Sequence, residues 1–209
     1  MFLTPLYPIL DTGLCRGRAP LEVLRDFLSA GVKLVQLRAK DMPSNDFFKL
    51  ADAVRGLTRR AGAMLIVNDR VDIALAVRAD GVHLGQEDLP LKAARKIAGD
   101  RLIVGVSTHD MAQAEEAEAG GADYIGFGPI FGTATKATGY SPRCLDMLRD
   151  IKKTVKIPVV AIGGINEGNV AEVWKAGADS AAIISYLMGA ENVAGKIERI
   201  FLLRADRLR

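Results

Sequence analysis

The stretch Gly120-Gly-Ala-Asp-Tyr-Ile-Gly-Phe127 decides the fold, because it joins the end of a helical pattern to a short apolar run. A glycine just past a helix end is the expected left-handed cap of that helix. The apolar run that follows has the length of a buried strand. The same joint recurs at 30–33 and 176–179. A repeated strand–helix unit is therefore predicted, either around a closed barrel or along a doubly wound open sheet.

Eight apolar runs rich in Val, Ile and Leu continue this pattern. They cover residues 6–10, 34–37, 64–67, 81–84, 102–106, 124–127, 158–162 and 181–184. Helical patterns with apolar residues near 3.6-residue spacing lie between them, at 20–30, 44–60, 91–98, 111–119, 143–153, 170–175 and 193–203. Strands that alternate with helices pair in parallel. Eight such strands in 209 residues predict an α/β protein, a single (β/α)8 TIM barrel that spans residues 1–209 as one domain.

Composition narrows the class of protein. The net charge of +3 comes without a basic stripe interleaved with aromatic residues, so we expect no nucleic-acid partner. No apolar run approaches the ~20 residues of a membrane span, and the apolar start of the chain lacks the features of an export signal. Cys15 and Cys144 belong to no CxxC or Cys/His cluster and are interpreted as reduced thiols. We therefore expect a cytoplasmic protein that does not enter the membrane.

Polar residues alternate along the second predicted strand. Gln36, Arg38 and Lys40 are separated by two, so on an extended strand they point to one side. In a barrel, the loops after the strands form the functional face. Two cations in the mouth of a barrel would require an anionic ligand, because unpaired buried charge is costly. On an isolated edge strand the same pattern would be a solvated face.

Carboxylates follow the third and fourth predicted strands. Asn68 and Asp69 end one strand, and Asp88 follows the next. Carboxylate oxygens without neighbouring thiols or histidines favour Mg²⁺, which would keep waters and take phosphate oxygens of a substrate. The alternative for Asp88 is the N-cap of the helix that follows. Asp72 is interpreted as a solvated charge at a helix start.

Three loops are candidates for phosphate binding, and two of them contain glycine. The run Gly126 to Gly139 contains four glycines, three threonines and Lys136, which together offer backbone N–H groups, hydroxyls and one ammonium. Its glycine spacing differs from that of a Walker loop, and an ordinary surface loop is the alternative. Gly164 and Ser185 follow strands seven and eight, where barrels often bind phosphate, although a tight turn would also require the glycine.

Groups for base or nucleophilic catalysis are scarce. His83 lies within a predicted strand and is interpreted as structural, and His109 is expected near the start of a helix. No Ser/His/Asp or Cys/His arrangement is indicated by the spacing. A site rich in anion binders and metal ligands suits displacement of pyrophosphate by a co-substrate that is already nucleophilic.

These motifs resemble the thiamine phosphate synthase family over nearly the whole chain. The matching segments are Gln36-Leu-Arg-Ala-Lys40, Val67-Asn-Asp69, Gly81-Val-His-Leu-Gly-Gln-Glu-Asp88, Gly105-Val-Ser107, Gly126-Phe-Gly-Pro-Ile-Phe-Gly-Thr-Ala-Thr-Lys136, Ala161-Ile-Gly-Gly164 and Ile183-Ile-Ser185. The resemblance implies a (β/α)8 transferase with Mg²⁺. It would condense hydroxymethylpyrimidine diphosphate with thiazole phosphate to give thiamine monophosphate and pyrophosphate.

The resemblance also implies a role for each matched position. The diphosphate would contact Arg38, Lys40, Asn68 and Lys136, and Mg²⁺ would contact Asp69 and Asp88. The pyrimidine would contact Gln36 and Ser107, and the junction with the thiazole would contact Thr133 and Thr135. The phosphate of the thiazole would contact Gly164, Ile184 and Ser185. Residues expected to act in catalysis are Lys136, Arg38, Lys40 and Ser107.

Two positions depart from the family pattern. The family often has proline where Gly132 stands, and a second acid where Arg70 stands. Two other functions remain as alternatives: a thiazole tautomerase on the same barrel, and a non-catalytic barrel that binds thiazole phosphate. The complete set of residues for a metal and a diphosphate favours the synthase, because a tautomerase binds neither a diphosphate nor a metal. The oligomeric state is left open, a homo-oligomer included.

Overall fold

The computed structural model describes residues 4–132, 142 and 144–205. Within these ranges, eight parallel strands close into a barrel in which each strand pairs with its neighbours in sequence and β8 returns to β1. The strands are β1 Leu6–Asp11, β2 Leu34–Arg38, β3 Met64–Asn68, β4 Gly81–Leu84, β5 Ile103–Thr108, β6 Tyr124–Phe127, β7 Val159–Ile162 and β8 Ser180–Ile183. The predicted (β/α)8 barrel is confirmed.

Helices follow the strands around the barrel. Those in the described ranges are α1 Pro20–Ser29, α2 Ser44–Arg60, α3 Val71–Ala76, α4 Leu91–Ala98, α5 Met111–Ala119, α6 Cys144–Thr154, α7 Val170–Lys175, α8 Ser185–Met188 and α9 Val193–Ala205. Short 3-10 turns cover Thr12–Leu14 and Gly99–Arg101. The sequence pattern missed α8, whose 4 residues are too few to show an apolar stripe, and it indicated α3 only through the helix start at Asp72. None of the helices in the described ranges combines the length and the apolar character that crossing a membrane requires.

The interior of the barrel contains aromatic rings, and glycines make room for them. Tyr7 and Tyr124 pack there with aliphatic side chains such as Ile66 and Val160. A Cβ at Gly105 would lie 2.0 Å from Cζ of Tyr124, so only glycine leaves space for that ring. The ring of Tyr124 therefore fits into the barrel interior only because β5 has no side chain at Gly105.

Aspartates join the strands at the amino-terminal face of the barrel. They stand directly before β4, β6 and β8 and are Asp80, Asp123 and Asp179. Their carboxylates accept backbone N–H groups of the preceding strand at 2.7–2.8 Å, from Leu65, Val104 and Val159. Each also forms an ion pair with a helix, through Arg55, Arg95 and Lys152. Two of the three joints that recur in the sequence thus end on such a carboxylate, Asp123 and Asp179, and Asp80 links two strands and a helix in the same way.

Candidate active site

A cluster of one lysine and two aspartates lies at the carboxyl-terminal ends of β2, β3 and β4. The Nζ atom of Lys40 is 2.5 Å from Oδ2 of Asp69 and 3.8 Å from Oδ1 of Asp88. Asp69 follows β3 with φ of 66°, a left-handed conformation that aspartate tolerates better than most residues. Its backbone N–H donates to the carbonyl oxygen of His83 at 2.8 Å, which fixes its position beside β4.

The environment of Asp69 opposes its ionisation. Burial, and then the hydrogen bond and charge of Asp88, raise the pKa of Asp69 to about 6, although Lys40 acts in the opposite direction. Among the described residues, Lys40 thus accompanies two carboxylates that repel each other. This arrangement would be relieved by a further cation.

The structure rejects the helix-cap alternative for Asp88. The N-cap position of α4 is Pro90, and no side chain caps that helix. Oδ2 of Asp88 instead accepts the backbone N–H of Gly85 at 2.7 Å. The carboxylate is held within the loop after β4, where its other oxygen lies near Lys40.

Asp72 has the surface role predicted for it. It lies in the first turn of α3 and accepts two hydrogen bonds from Arg70, at 2.9 Å and 2.6 Å. The bonds from Arg70 lower the pKa of Asp72. Arg70 also donates to Oγ of Ser44 at 2.9 Å, so the residue that departs from the family pattern joins α2 to α3.

The cations at the end of β2 and just after it have carboxylate partners within the protein. Arg38 forms an ion pair with Asp11 at the end of β1, and Lys40 pairs with Asp69. A buried guanidinium without a carboxylate would be costly, which explains the pairing. Sequence reasoning missed Asp11, although its place at the end of an apolar run was a usable signal. In the described part of the chain, the buried Nε of Arg38 has no hydrogen-bond partner, so one donor remains for a ligand.

A pocket opens into the barrel interior beside this cluster. It is lined by Tyr7, Ile9, Gln36, Arg38, Asn68, His83, Ser107, Tyr124, Gly126, Val160, Ile162, Ala182 and Ile184. Gln36 and Asn68 are buried polar residues, as expected of side chains that face inward from the ends of barrel strands. The structure therefore brings four predicted ligand residues around one cavity, together with Ile184.

A serine–histidine contact that sequence reasoning missed lies in this pocket. Nε2 of His83 is 2.9 Å from Oγ of Ser107, and Nδ1 of His83 is 3.0 Å from the hydroxyl of Tyr124. The contact depends on the β4–β5 register, which sets His83 beside Gly105. A nucleophilic triad requires a carboxylate to stabilise the imidazolium, whereas Nδ1 of His83 contacts a neutral phenol. The arrangement favours hydrogen bonding over nucleophilic attack.

The loops after β7 and β8 form the other side of the barrel mouth. Gly163 and Gly164 have φ of 103° and 64°. A Cβ at Gly164 would lie 2.6 Å from the carbonyl oxygen of Gly132 and 2.8 Å from Cβ of Phe131. Gly164 is thus required by a tight turn and by close packing against the loop after β6. Ser185 begins α8 directly after Ile184.

Some predictions cannot be placed in the structure. Thr133, Thr135 and Lys136 lie outside the described residues. Among the described residues, no group of three or more His, Cys, Asp or Glu side chains is arranged to hold a metal ion. A metal at Asp69 and Asp88 would therefore need ligands from a substrate or from water.

Comparisons with known proteins agree on one family. The family model described as thiamine monophosphate synthase matches residues 6–187. The thiamine-phosphate synthase of Moorella thermoacetica is 50% identical over 195 residues, 93% of each chain, and that of Chloroflexus aurantiacus is 47% identical over 93% of this chain and 90% of its own. The structure of thiamine phosphate pyrophosphorylase from Pyrococcus furiosus is 42% identical, with a TM-score of 0.89 over 98% of this chain and 96% of its own. This chain therefore belongs to the thiamine monophosphate synthase family.

Proposed function

We propose that this protein condenses hydroxymethylpyrimidine diphosphate with thiazole phosphate, giving thiamine monophosphate and pyrophosphate. The observation that carries the proposal is the cluster of Lys40, Asp69 and Asp88 beside the pocket that contains Gln36 and Ser107. The cluster provides charges for a diphosphate and its metal, and the pocket provides hydrogen bonds for a heteroaromatic ring. Membership of the thiamine monophosphate synthase family supports the same reaction.

The carboxylate pair fits Mg²⁺ as the cofactor. Asp69 and Asp88 offer hard oxygen ligands, and the raised pKa of Asp69 marks an excess of negative charge that a cation would relieve. Two protein carboxylates leave the remaining coordination positions to the diphosphate and water. Bound there, Mg²⁺ would neutralise negative charge on the diphosphate as the bond to carbon breaks.

The cationic side chains of β2 would bind the diphosphate. Nε of Arg38 is buried and has no hydrogen-bond partner among the described residues, and Lys40 already contacts both carboxylates. Asn68 adds an amide at the end of β3. These donors would hold the leaving group in one orientation and stabilise it as charge accumulates. Lys136 would act in the same way from the loop after β6.

The thiazole phosphate would bind on the opposite side of the mouth. Gly164, Ile184 and Ser185 would offer backbone N–H groups to its phosphate, and Thr133 and Thr135 would line the junction between the two substrates. Because Gly164 packs against Gly132, the phosphate loop and the loop after β6 are in contact. Occupation of one substrate site would therefore influence the other.

The proposed reaction is dissociative. The C–O bond breaks first, and its electron pair leaves with pyrophosphate. The aminopyrimidine stabilises the methylene cation, and the lone pair of the thiazole nitrogen then forms the new C–N bond. This sequence requires no strong protein base, in keeping with a pocket whose histidine is bonded to a serine and a phenol.

The tautomerase and the non-catalytic barrel are less well supported. Neither would require two carboxylates and a lysine at the ends of neighbouring strands. We further propose a cytoplasmic enzyme whose partners are the two small-molecule substrates, without nucleic acid or a membrane. Homo-oligomerisation is left to measurement by light scattering.

The test is an assay with both substrates and Mg²⁺ that measures thiamine monophosphate and pyrophosphate separately. We expect the two products in equal amounts and loss of turnover after chelation, with recovery when Mg²⁺ is returned. Binding of thiazole phosphate without product would identify a non-catalytic barrel, and turnover that survives exhaustive chelation would contradict the metal role.

A further inference from the structure

A chain of hydrogen bonds crosses the interior of the barrel. It joins Gln36 on β2 to Ser107 on β5 through three further side chains, those of Tyr7, Tyr124 and His83. The successive contacts measure 3.2 Å, 3.1 Å, 3.0 Å and 2.9 Å from Gln36 onwards. The two end residues are proposed to contact the pyrimidine, whereas the proposed reaction assigns no role to the three residues between them.

Glycines hold the middle of this chain in place. Gly105 lies under the ring of Tyr124, and a Cβ at Gly126 would lie 3.0 Å from Cε1 of His83. The rings of His83 and Tyr124 have centroids 5.5 Å apart, so they pack against each other as well as bonding. Closely packed rings keep the hydroxyl and ring nitrogen at hydrogen-bond distance.

The direction of the chain follows from counting protons. Nε2 of Gln36 donates to the hydroxyl oxygen of Tyr7. Within the described residues, the buried hydroxyl of Tyr7 contacts only Gln36 and Tyr124, so its own proton goes to the oxygen of Tyr124. Tyr124 then donates to Nδ1 of His83, and Nε2–H of His83 donates to Oγ of Ser107. Burial raises the pKa of both phenols, so each keeps the proton that the chain requires.

This direction gives the two ends opposite roles. Gln36 turns its nitrogen to Tyr7, which leaves its oxygen as an acceptor, and Ser107 receives a bond from His83, which leaves its own proton to donate. An aminopyrimidine offers an amine that donates and ring nitrogens that accept. We infer that Tyr7, Tyr124 and His83 are positioning residues that hold Gln36 as acceptor and Ser107 as donor, and thereby select an aminopyrimidine over an oxopyrimidine diphosphate. The inference rests on the proposed function.

Gln36 changes only with the rest of the hydrogen-bond chain, whereas Oγ of Ser107 has a second lone pair that can accept from a ligand without any reversal. To present NH₂ to the ligand, Gln36 would have to turn its amide, and its oxygen would then accept from Tyr7 while the bonds through Tyr124 and His83 reverse. An oxopyrimidine, with C=O in place of the amine and N–H in the ring, finds a donor at Gln36 only in that reversed state. Its binding therefore requires reversal of a buried network, which is a basis for strong discrimination.

The chain also affects the chemical step. An acceptor on the amine strengthens the release of electrons into the ring while the C–O bond breaks, and that electron pair leaves with pyrophosphate. Holding Gln36 as acceptor therefore stabilises the methylene cation more than the bound substrate. Loss of the chain should lower kcat for the amino substrate and not only raise its KM.

The experiment compares Tyr7→Phe, Tyr124→Phe and the double variant. Values of kcat/KM are measured with 4-amino-5-hydroxymethyl-2-methylpyrimidine diphosphate and with its 4-oxo counterpart, at saturating Mg²⁺ and thiazole phosphate. For each single variant we expect kcat/KM for the amino substrate and the amino-to-oxo preference to fall by roughly tenfold or more. The double variant should be no worse than the worse single variant, because one break already interrupts the chain. The KM for thiazole phosphate should stay within about twofold of the wild-type value, because none of the residues proposed to bind its phosphate, Gly164, Ile184 and Ser185, is a member of the hydrogen-bond chain.

Tyr186→Phe is the matched control. It removes a hydroxyl that donates to Glu167 at 2.8 Å and that takes no part in the chain, so the preference should not change. Melting curves check that the variants fold, and if Tyr124→Phe does not, Tyr7→Phe carries the same expectation. Additive losses with an unchanged preference would overturn the inference, because the hydroxyls would then only fill space. A wild-type protein that makes no product from the amino substrate would overturn the proposed function itself.

Discussion

The two faces of the barrel use the same residue types in opposite ways. At the amino-terminal face, Asp179 accepts a backbone N–H of β7 at 2.8 Å and pairs with Lys152 at 2.6 Å. At the carboxyl-terminal face, Asp69 and Asp88 share Lys40, and burial together with Asp88 raises the pKa of Asp69 to about 6. The amino-terminal face matches each of these carboxylates with a cation and a backbone donor, whereas the described residues of the other face place two carboxylates beside one lysine.

This difference separates a structural joint from a binding site. A carboxylate whose oxygens are used by the protein stabilises the fold and has little capacity for a ligand. Two carboxylates that repel each other retain that capacity at a cost in stability. Substitutions at the two faces should therefore divide cleanly between effects on stability and effects on turnover.

Asp69→Asn should have the largest effect. Asparagine tolerates the left-handed backbone but removes the charge, so kcat/KM should fall by about a thousandfold or more as metal stabilisation of the leaving group is lost. Steady-state kinetics at saturating Mg²⁺ measure the loss. The melting temperature should equal or exceed that of the wild type, because one of two repelling carboxylates is gone. A lower melting temperature would show that Asp69 stabilises the fold as Asp179 does.

Lys40→Met should lower turnover and strengthen metal binding at once. Loss of one cation beside the leaving group costs ~3 kcal/mol in the transition state, on the order of a hundredfold in kcat. The two carboxylates would meanwhile lose their ammonium, so titration calorimetry without substrate should give a lower Kd for Mg²⁺ than in the wild type. Weaker Mg²⁺ binding would mean that Lys40 organises the carboxylates rather than competing with the metal.

Asp179→Ala should affect stability in place of activity. It leaves the N–H of Val159 without its acceptor and Lys152 without its partner, which should cost about 2–3 kcal/mol of unfolding free energy. Urea denaturation measures the loss, and kcat of the folded protein should stay within about twofold. Asp179→Asn is the matched control, since it keeps an acceptor for Val159 and should lose less. A large fall in kcat with a normal unfolding free energy would contradict the purely structural role assigned to the carboxylates of the amino-terminal face.

Arg149→Ala should have the smallest effect. Its partner Asp146 has a side chain that is 84% exposed, one turn away on α6. Exposed pairs of this kind contribute little, so the unfolding free energy should change by less than about 0.5 kcal/mol. Urea denaturation measures this change as well. A loss of unfolding free energy equal to that of Asp179→Ala would show that burial does not determine how much a carboxylate ion pair stabilises this barrel.

Much of the barrel could be predicted because the sequence patterns that mark its strands and helices involve only neighbouring residues. Apolar runs and glycine caps marked all eight strands, with boundaries that differ from the structure by one or two residues at most. The 4-residue helix α8 was not predicted, and α3 was indicated only by the helix start at Asp72. The order of strands and helices then indicated which end of each strand faces the mouth, and so selected Arg38, Asp69 and Asp88 as candidates before any contact was known.

Partners within the site were decided by tertiary structure. Asp11 meets Arg38 only because β1 lies beside β2, and Ser107 meets His83 only in the observed β4–β5 register. Asp88 could equally have capped a helix until the loop after β4 turned it towards Gly85. Local patterns in the sequence were enough to predict the barrel and the polar residues at its strand ends, because apolar period, helix caps and turns depend on a few neighbouring residues. Only closure of the barrel decided which of these residues touch, because such contacts join strands that are tens of residues apart in the chain.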